Sequence, residues 1–232
     1  QHKLSKRNGD ASFQDLLTKG YLPEAIINYI ALLGWNPGTE EEIFSLKELE
    51  KIFAVERLNK SPAIFDIVKL TWMNGVYIRN LSAEEFYKHA EPYFAELPDN
   101  VDKEALAAVL QPRIETFKQI EEQIGFIKEL PDYSSDLFVN KKMKTDLEVA
   151  KTVLPLIKEV LTVQEEWSND ALFASLKTLA EKNGLKNGQI LYPARIAFSG
   201  LETTPGGATE LAVVLGKQEC LNRIETAIKK LA

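Results

Sequence analysis

An all-α protein is predicted, on three observations. Apolar residues recur at spacings of three and four along most of the chain, and no stretch alternates apolar with polar residues long enough to make a strand. Serine, proline and glycine also fall where helices would start and stop. At 232 residues, 45% of them hydrophobic, the chain can build ordinary cores in two or three compact units. It has no internal repeat and no low-complexity segment.

In order, Ser12 can cap a short helix running through Lys19 and ended by Gly20. Pro23 opens a second, with Ala25, Ile26, Tyr29, Ile30 and Leu33 on its apolar stripe and Gly34 as its stop. Trp35 to Gly38 form a turn and Glu40 to Glu42 a solvated loop, after which Ser45 caps a helix carrying Leu46, Leu49 and Ile52. Phe65 to Val76 reads as a helix with Phe65, Val68, Trp72 and Val76 inward, leaving Lys69, Asn74, Tyr77 and Arg79 for the rim.

Ser82 and Glu85 form a capping-box pattern before a helix burying Phe86, Ala90, Tyr93 and Phe94. Lys103 to Leu110 is helical, and Pro112 suits the first turn of a helix striped by Ile114, Phe117, Ile120, Ile124 and Ile127. The next stripe is Leu147, Ala150, Leu154, Ile157 and Leu161, which Pro155 should kink or split. Asn169, Gly184 and the Gly206-Gly207 pair punctuate the last helices.

No apolar run is long enough to cross a membrane as a helix, and no secretory leader opens the sequence, so a soluble cytoplasmic protein is expected. Cys220 is alone, which rules out an internal disulfide. With only His2 and His89 to join it, no structural metal is expected. The net charge of −6 argues against a nucleic-acid partner until its distribution is considered. Lys plus Arg against Asp plus Glu count 10 to 10 over residues 1–80, 5 to 12 over 81–135 and 13 to 12 over 136–232. Bases lining one face could still hold RNA, while composition alone favours a protein-interaction domain.

Lys3, Ser5, Lys6 and Arg7, around Leu4 and before Gly9, make a loop able to clamp a polyphosphate, or a solvated tail. This KLSKR segment resembles the KMSKS-type signature of class I aminoacyl-tRNA synthetases, with Leu4 for the methionine and Arg7 for the final serine. GYLPEAIINYIALLGW, FDIVKLTWMNGVYIR (65–79), QPRIETF from Gln111, QEEW (164–167), LYPARIAFSG, TPGG and LGK follow in the order seen in bacterial-type glutamyl-tRNA synthetases. The resemblance spans essentially the whole chain. It implies a helical stem-contact region followed by a two-part helical anticodon-binding domain. The expected divisions are 1–11 for the end of a catalytic domain, 12–80 for stem contact, and 81–138 and 139–232 for the anticodon subdomains.

By the resemblance, Lys6 stabilises the pyrophosphate leaving group as ATP, with Mg, activates glutamate, and Lys3, Ser5 and Arg7 join it around the nucleotide. A HIGH-type motif is absent. With Gln1 as first residue, this is the expected sign of a fragment lacking an upstream nucleotide-binding domain, its missing partner. Neither ATP binding nor aminoacylation is expected of this chain alone. Glutamate tRNA is the implied partner. Arg113 would read the third anticodon base; on its residues alone it reads as a surface guanidinium paired with Glu115 or another acid. Arg195, Thr204, Pro205, Gly206 and Gly207 would complete the anticodon pocket. Ala208 stands where relatives have leucine after a single glycine. Lys60, Lys69, Asn74, Tyr77 and Arg79 are the stem-contact candidates. Two rival readings are a non-catalytic helical adaptor holding protein or RNA, and a glutamine-specific synthetase, whose usual β-barrels find no strand pattern here.

Overall fold

The computed structural model describes residues 12–59 and 64–232. The described residues carry twelve α-helices and, in place of strands, two isolated bridges, Trp35 with Leu58 and Asn140 with Thr145. The chain divides into two compact units, both discontinuous: Gln1–Ala90 with Gln111–Glu122, and Glu91–Leu110 with Gln123–Ala232.

The first unit holds α1 (Phe13–Thr18), α2 (Pro23–Gly34), α3 (Leu46–Ile52), α4 (Ile67–Asn80) and α5 (Ala83–Ala90). Local chemistry sets their starts. The Ser12 hydroxyl accepts from the Asp15 amide at 3.0 Å, Pro23 sits in the first turn of α2, and Ser45 with Glu48 forms a capping box. Ser82 accepts from the Glu85 amide while the Glu85 carboxylate accepts from the Ser82 amide, closing a second one. The core gathers Leu16, Tyr21, Ile26, Tyr29, Leu70 and Met73, with a smaller cluster of Trp35, Phe44 and Leu49 beside α3.

Helix α4 is rotated from the orientation its apolar pattern suggests. Leu70, Met73, Asn74, Gly75 and Ile78 are buried, whereas Val68 is 74% exposed and Trp72 45%. Apolar residues lie all round this helix, so periodicity alone does not choose a face. Ile30 at 54% exposure is a similar reversal on α2.

Segment 111–122 belongs to this unit through its interior contacts. Gln111 Nε2 donates to the carbonyls of Ile78 and Leu81, closing the end of α4, and the Phe117 amide donates to Gly20 O at 3.0 Å. The close approach requires glycine: a Cβ on Gly20, whose φ is +82°, would lie 2.5 Å from the Lys118 amide nitrogen. Phe117 also packs on Phe86 and His89. Pro112 does not begin a helix here. Residues 111–113 form a turn and α7 (Gln119–Lys128) starts later, because the Gln119 carbonyl oxygen Oε1 accepts from the Glu115 and Thr116 amides.

The second unit holds α6 (Lys103–Leu110), the greater part of α7, α8 (Leu147–Val163), α9 (Asn169–Lys182), α10 (Asn187–Ser199), α11 (Ala208–Leu215) and α12 (Lys217–Leu231). Helix α10 is its axis, packed by α8, α9, α11 and α12, with Ile190, Ala194, Ile196, Ala197 and Phe198 buried. Of the kink or split expected at Pro155, the split does not occur: α8 continues through it. The proline is only partly buried, so water can reach the carbonyl it leaves unbonded.

Candidate nucleic-acid interface

The second unit carries one candidate group. Arg195 leaves the last turns of α10, three residues after Tyr192, so its guanidinium stacks over the Tyr192 ring at 5.2 Å. Arg195 Nη1 donates to Thr204 Oγ1 at 3.0 Å, and that hydroxyl donates to Gly206 O at 2.7 Å. The Tyr192 hydroxyl donates to Leu137 O at 3.0 Å, which anchors the stack from behind. Burial pushes the guanidinium pKa below its ordinary value, opposed by Tyr192 and Glu202. A fork held at one edge by a hydroxyl and on one face by a ring is positioned in advance for a planar acceptor such as a base edge.

The reversal that brings Thr204 back to Arg195 starts at Gly200, the left-handed cap of α10 with φ +65°. A Cβ there would stand 2.7 Å from Tyr133 Cδ1, so both conformation and space demand glycine. At the far end, the Gly207 amide donates to Glu210 Oε2 at 2.7 Å and opens α11. Within the turn, Glu202, Thr203 and Gly207 are exposed and Thr204 half-buried, while Pro205, Gly206 and Ala208 are buried. The proline and Ala208 therefore support the turn from within, and Thr203 and Gly207 are among its exposed residues.

The first unit carries the other candidate. In QPRIETF, Gln111 closes α4, Ile114, Thr116 and Phe117 are buried, and the Glu115 carbonyl accepts from Asn74 Nδ2 at 2.5 Å. Pro112 and Arg113 are the exposed members of the motif, Arg113 on the turn rather than in a helix, so no helix dipole opposes its charge.

The stem-contact candidates divide. Arg79 is exposed and its guanidinium lies over Gly75, where a Cβ would be 3.0 Å from Nη1. Lys69 pairs with Glu42. Asn74 is fully buried rather than on the rim: Oδ1 accepts from the Leu22 amide at 2.8 Å, so the whole amide is spent inside the unit. Tyr77 is half-buried with its hydroxyl 2.5 Å from Phe44 O and 2.7 Å from Asn28 Oδ1, which makes it a tie between helices. Burial pushes its pKa up to about 12. Lys60, and the loop of Lys3, Ser5, Lys6 and Arg7, lie outside the described residues.

Sequence reading did not single out Tyr192, whose spacing of three from Arg195 on a helix was the available signal. It also passed over Trp167, whose Nε1 donates to Ala212 O at 2.9 Å and gives the QEEW segment a structural task. Among the described residues no group of three or more His, Cys, Asp and Glu could hold a metal ion, and no helix is long and apolar enough to cross a membrane.

Residues 85–228 match the anticodon binding domain family, and residues 1–72 match the class I (E and Q) tRNA synthetase catalytic domain. The chain is 49% identical to the glutamate–tRNA ligase of Clostridium novyi and 51% identical to that of Clostridium tetani, in each case over 99% of its own length. It spans 48% and 47% of those proteins, about half their length. A crystal structure of a glutamate tRNA ligase from Elizabethkingia meningosepticum, in complex with its amino acid, superposes with a TM-score of 0.83 at 26% identity, covering 100% of this chain and 49% of that one. The chain belongs to the anticodon binding domain family and is homologous along its length to bacterial glutamate–tRNA ligases.

Proposed function

We propose that this chain is the tRNA-reading portion of a glutamate–tRNA ligase, working in the cytoplasm on glutamate tRNA. Helices within 12–80 meet the inner side of the tRNA, and segments 81–138 and 139–232 form the two anticodon subdomains. Arg113 reads the third anticodon base, and Arg195, held by Thr204 and Tyr192, meets an unstacked base, with Thr203 and Gly207 at the surface of its turn. Arg79 is the phosphate contact on α4.

The observation that carries this reading is the match to glutamate–tRNA ligases over 99% of the chain, continuous through the anticodon-binding family match at 85–228. The chemistry of the longer enzyme needs ATP, which supplies the phosphoanhydride energy when bound with Mg. The cations and hydroxyl of Lys3, Ser5, Lys6 and Arg7 suit a triphosphate, and Lys6 would hold the negative charge that develops on departing pyrophosphate. This chain spans about half the length of such an enzyme, and in this reading it binds tRNA without charging it.

The test is equilibrium binding of transcripts with a glutamate anticodon and of transcripts altered at the third anticodon base, by the parent chain and by Arg113→Gln. The expected result is a cognate preference of roughly tenfold or more, reduced towards unity in the variant, as for loss of a bidentate base contact. Equal affinity of the parent for both transcripts would refute base reading. Pyrophosphate exchange by the chain alone, dependent on glutamate and tRNA, would refute its inactivity.

A further inference from the structure

The turn between the short 3-10 helix Ser135–Phe138 and α8 carries a cluster of positive charge that the site described above does not use. It reads Asn140-Lys141-Lys142-Met143-Lys144-Thr145. The Asn140 and Thr145 amides and carbonyls bond each other at 2.9 and 3.0 Å, and Asn140 Oδ1 accepts from the Met143 amide at 3.0 Å. The turn is fastened to the start of α10: Gln189 Nε2 donates to Lys144 O at 3.1 Å while Gln189 Oε1 accepts from the Lys186 amide at 3.1 Å. Gly188 lets the turn approach, since a Cβ there would meet Met143 Sδ at 3.1 Å. Lys141, Lys142, Lys144 and Lys186 are thereby gathered on one small surface, all exposed.

This gathering is electrostatically unfavourable for the protein by itself. The lysines repel one another, the positive end of the α10 dipole lies beneath them, and Lys144 holds a left-handed φ of 58°. Six other lysines of this unit, Lys128, Lys151, Lys158, Lys177, Lys229 and Lys230, have a carboxylate partner, and Lys217 donates to Gln164 O at 2.8 Å, whereas Lys103 and Lys182 show no such pair among the described residues. Among the described residues the four lysines of this surface have none, and the adjacent Asp146 spends its carboxylate on the Val149 amide at 2.8 Å. We propose that the 140–145 turn with Lys186 is a docking site for the phosphate backbone of RNA, separate from the base-reading groups and indifferent to sequence. The partner class rests on the tRNA reading above. Lysine suits phosphate as a mobile point charge, while a protein interface would be expected to draw on aromatic and arginine anchors and to be poor in lysine.

The test compares the parent chain with Lys141→Gln/Lys142→Gln/Lys144→Gln/Lys186→Gln and with the matching four-arginine variant. Binding is measured against salt for the glutamate-anticodon transcript, the third-base-altered transcript, an unrelated RNA duplex and polyglutamate. The Gln variant should bind every RNA about tenfold more weakly, its salt slope shallower by about 0.9 for each lysine that meets a duplex phosphate, with the preference between the two transcripts unchanged. The Arg variant should keep the parent slope. An unchanged slope in the Gln variant overturns the proposal and leaves the anticodon reading standing. A parent that binds both transcripts alike, with the lysine effect intact, supports this surface while refuting the anticodon reading. Loss of polyglutamate binding with RNA binding unaltered assigns the surface to an acidic protein and overturns the proposal.

Discussion

At the scale of single residues, two tyrosines show how the same burial can stabilise or cost. The Tyr77 hydroxyl lies between Phe44 O and Asn28 Oδ1, at 2.5 and 2.7 Å. The Tyr133 hydroxyl is buried with no hydrogen-bond partner among the described residues. Removing a bonded hydroxyl leaves a buried acceptor unpaired, so Tyr77→Phe should cost about 1 to 2 kcal/mol of unfolding free energy. Removing an orphan relieves a desolvation cost, so Tyr133→Phe should leave stability equal or slightly higher in urea unfolding. Both phenols are pushed up to about 12 by burial, from an ordinary 10.0. The fold thus prefers both neutral: this leaves stability unaffected below pH 10 and lowers it as pH rises from 10 towards 12. The double Phe variant should show a shallower alkaline fall than the parent. Exposure and burial can be read from sequence only where a residue's context is local. Arg113 stands out in the sequence because it follows Pro112 in a segment that resembles a family motif, and the structure leaves it exposed. Asn74 looked like a rim residue because its partners, the Leu22 amide and the Glu115 carbonyl, are brought to it by the fold from distant parts of the chain.

At the scale of elements, helix starts were legible and helix faces less so. Ser12, Pro23, Ser45 and Ser82 act through side chains within one turn, and each marks its helix as the capping and first-turn rules require. The orientation of α4 depends on what covers it, and an apolar residue at Trp72 or Val68 reads the same whether covered or not. The ends of α7 and α10 depend on a residue far along the chain. Arg223, 3% exposed, donates from Nη1 to Phe126 O at 2.8 Å and Phe198 O at 2.6 Å, from Nη2 to Ile127 O at 3.4 Å, and from Nε to Glu219 at 2.6 Å. A buried cation against the last carbonyls of two helices complements the negative ends of both dipoles. Arg223→Met should destabilise by about 3 kcal/mol, since those carbonyls lose their donor in a dry interior. Arg223→Lys should recover only part of it, because one ammonium does not reproduce the guanidinium's planar fork. Chemical unfolding monitored by helical circular dichroism measures both.

At the scale of the whole chain, the two compact units are interleaved in sequence, which no local pattern announces. Divisions near 80 and 138 follow composition and resemblance, whereas the unit boundaries follow packing: residues 111–122 belong with 1–90. That segment supplies the first unit with the Phe117 ring packed on Phe86 and His89, the Glu115 carbonyl for Asn74, the amide that meets Gly20 O, and the buried Ile114 and Ile120. A fragment of residues 12–90 would keep all five of the unit's own helices and still lose each of those contacts. Burying Phe86 and satisfying Asn74 then become impossible together, at a cost of several kcal/mol against a total stability on the order of 5 to 15. Residues 12–90 should therefore lack a cooperative thermal transition, although their helix caps are intact. Supplying a peptide of residues 111–122 in excess should raise the ordered fraction by mass action. A sharp, peptide-independent transition in the short fragment would show that α1 to α5 suffice for the first unit, and that the returning segment only decorates it.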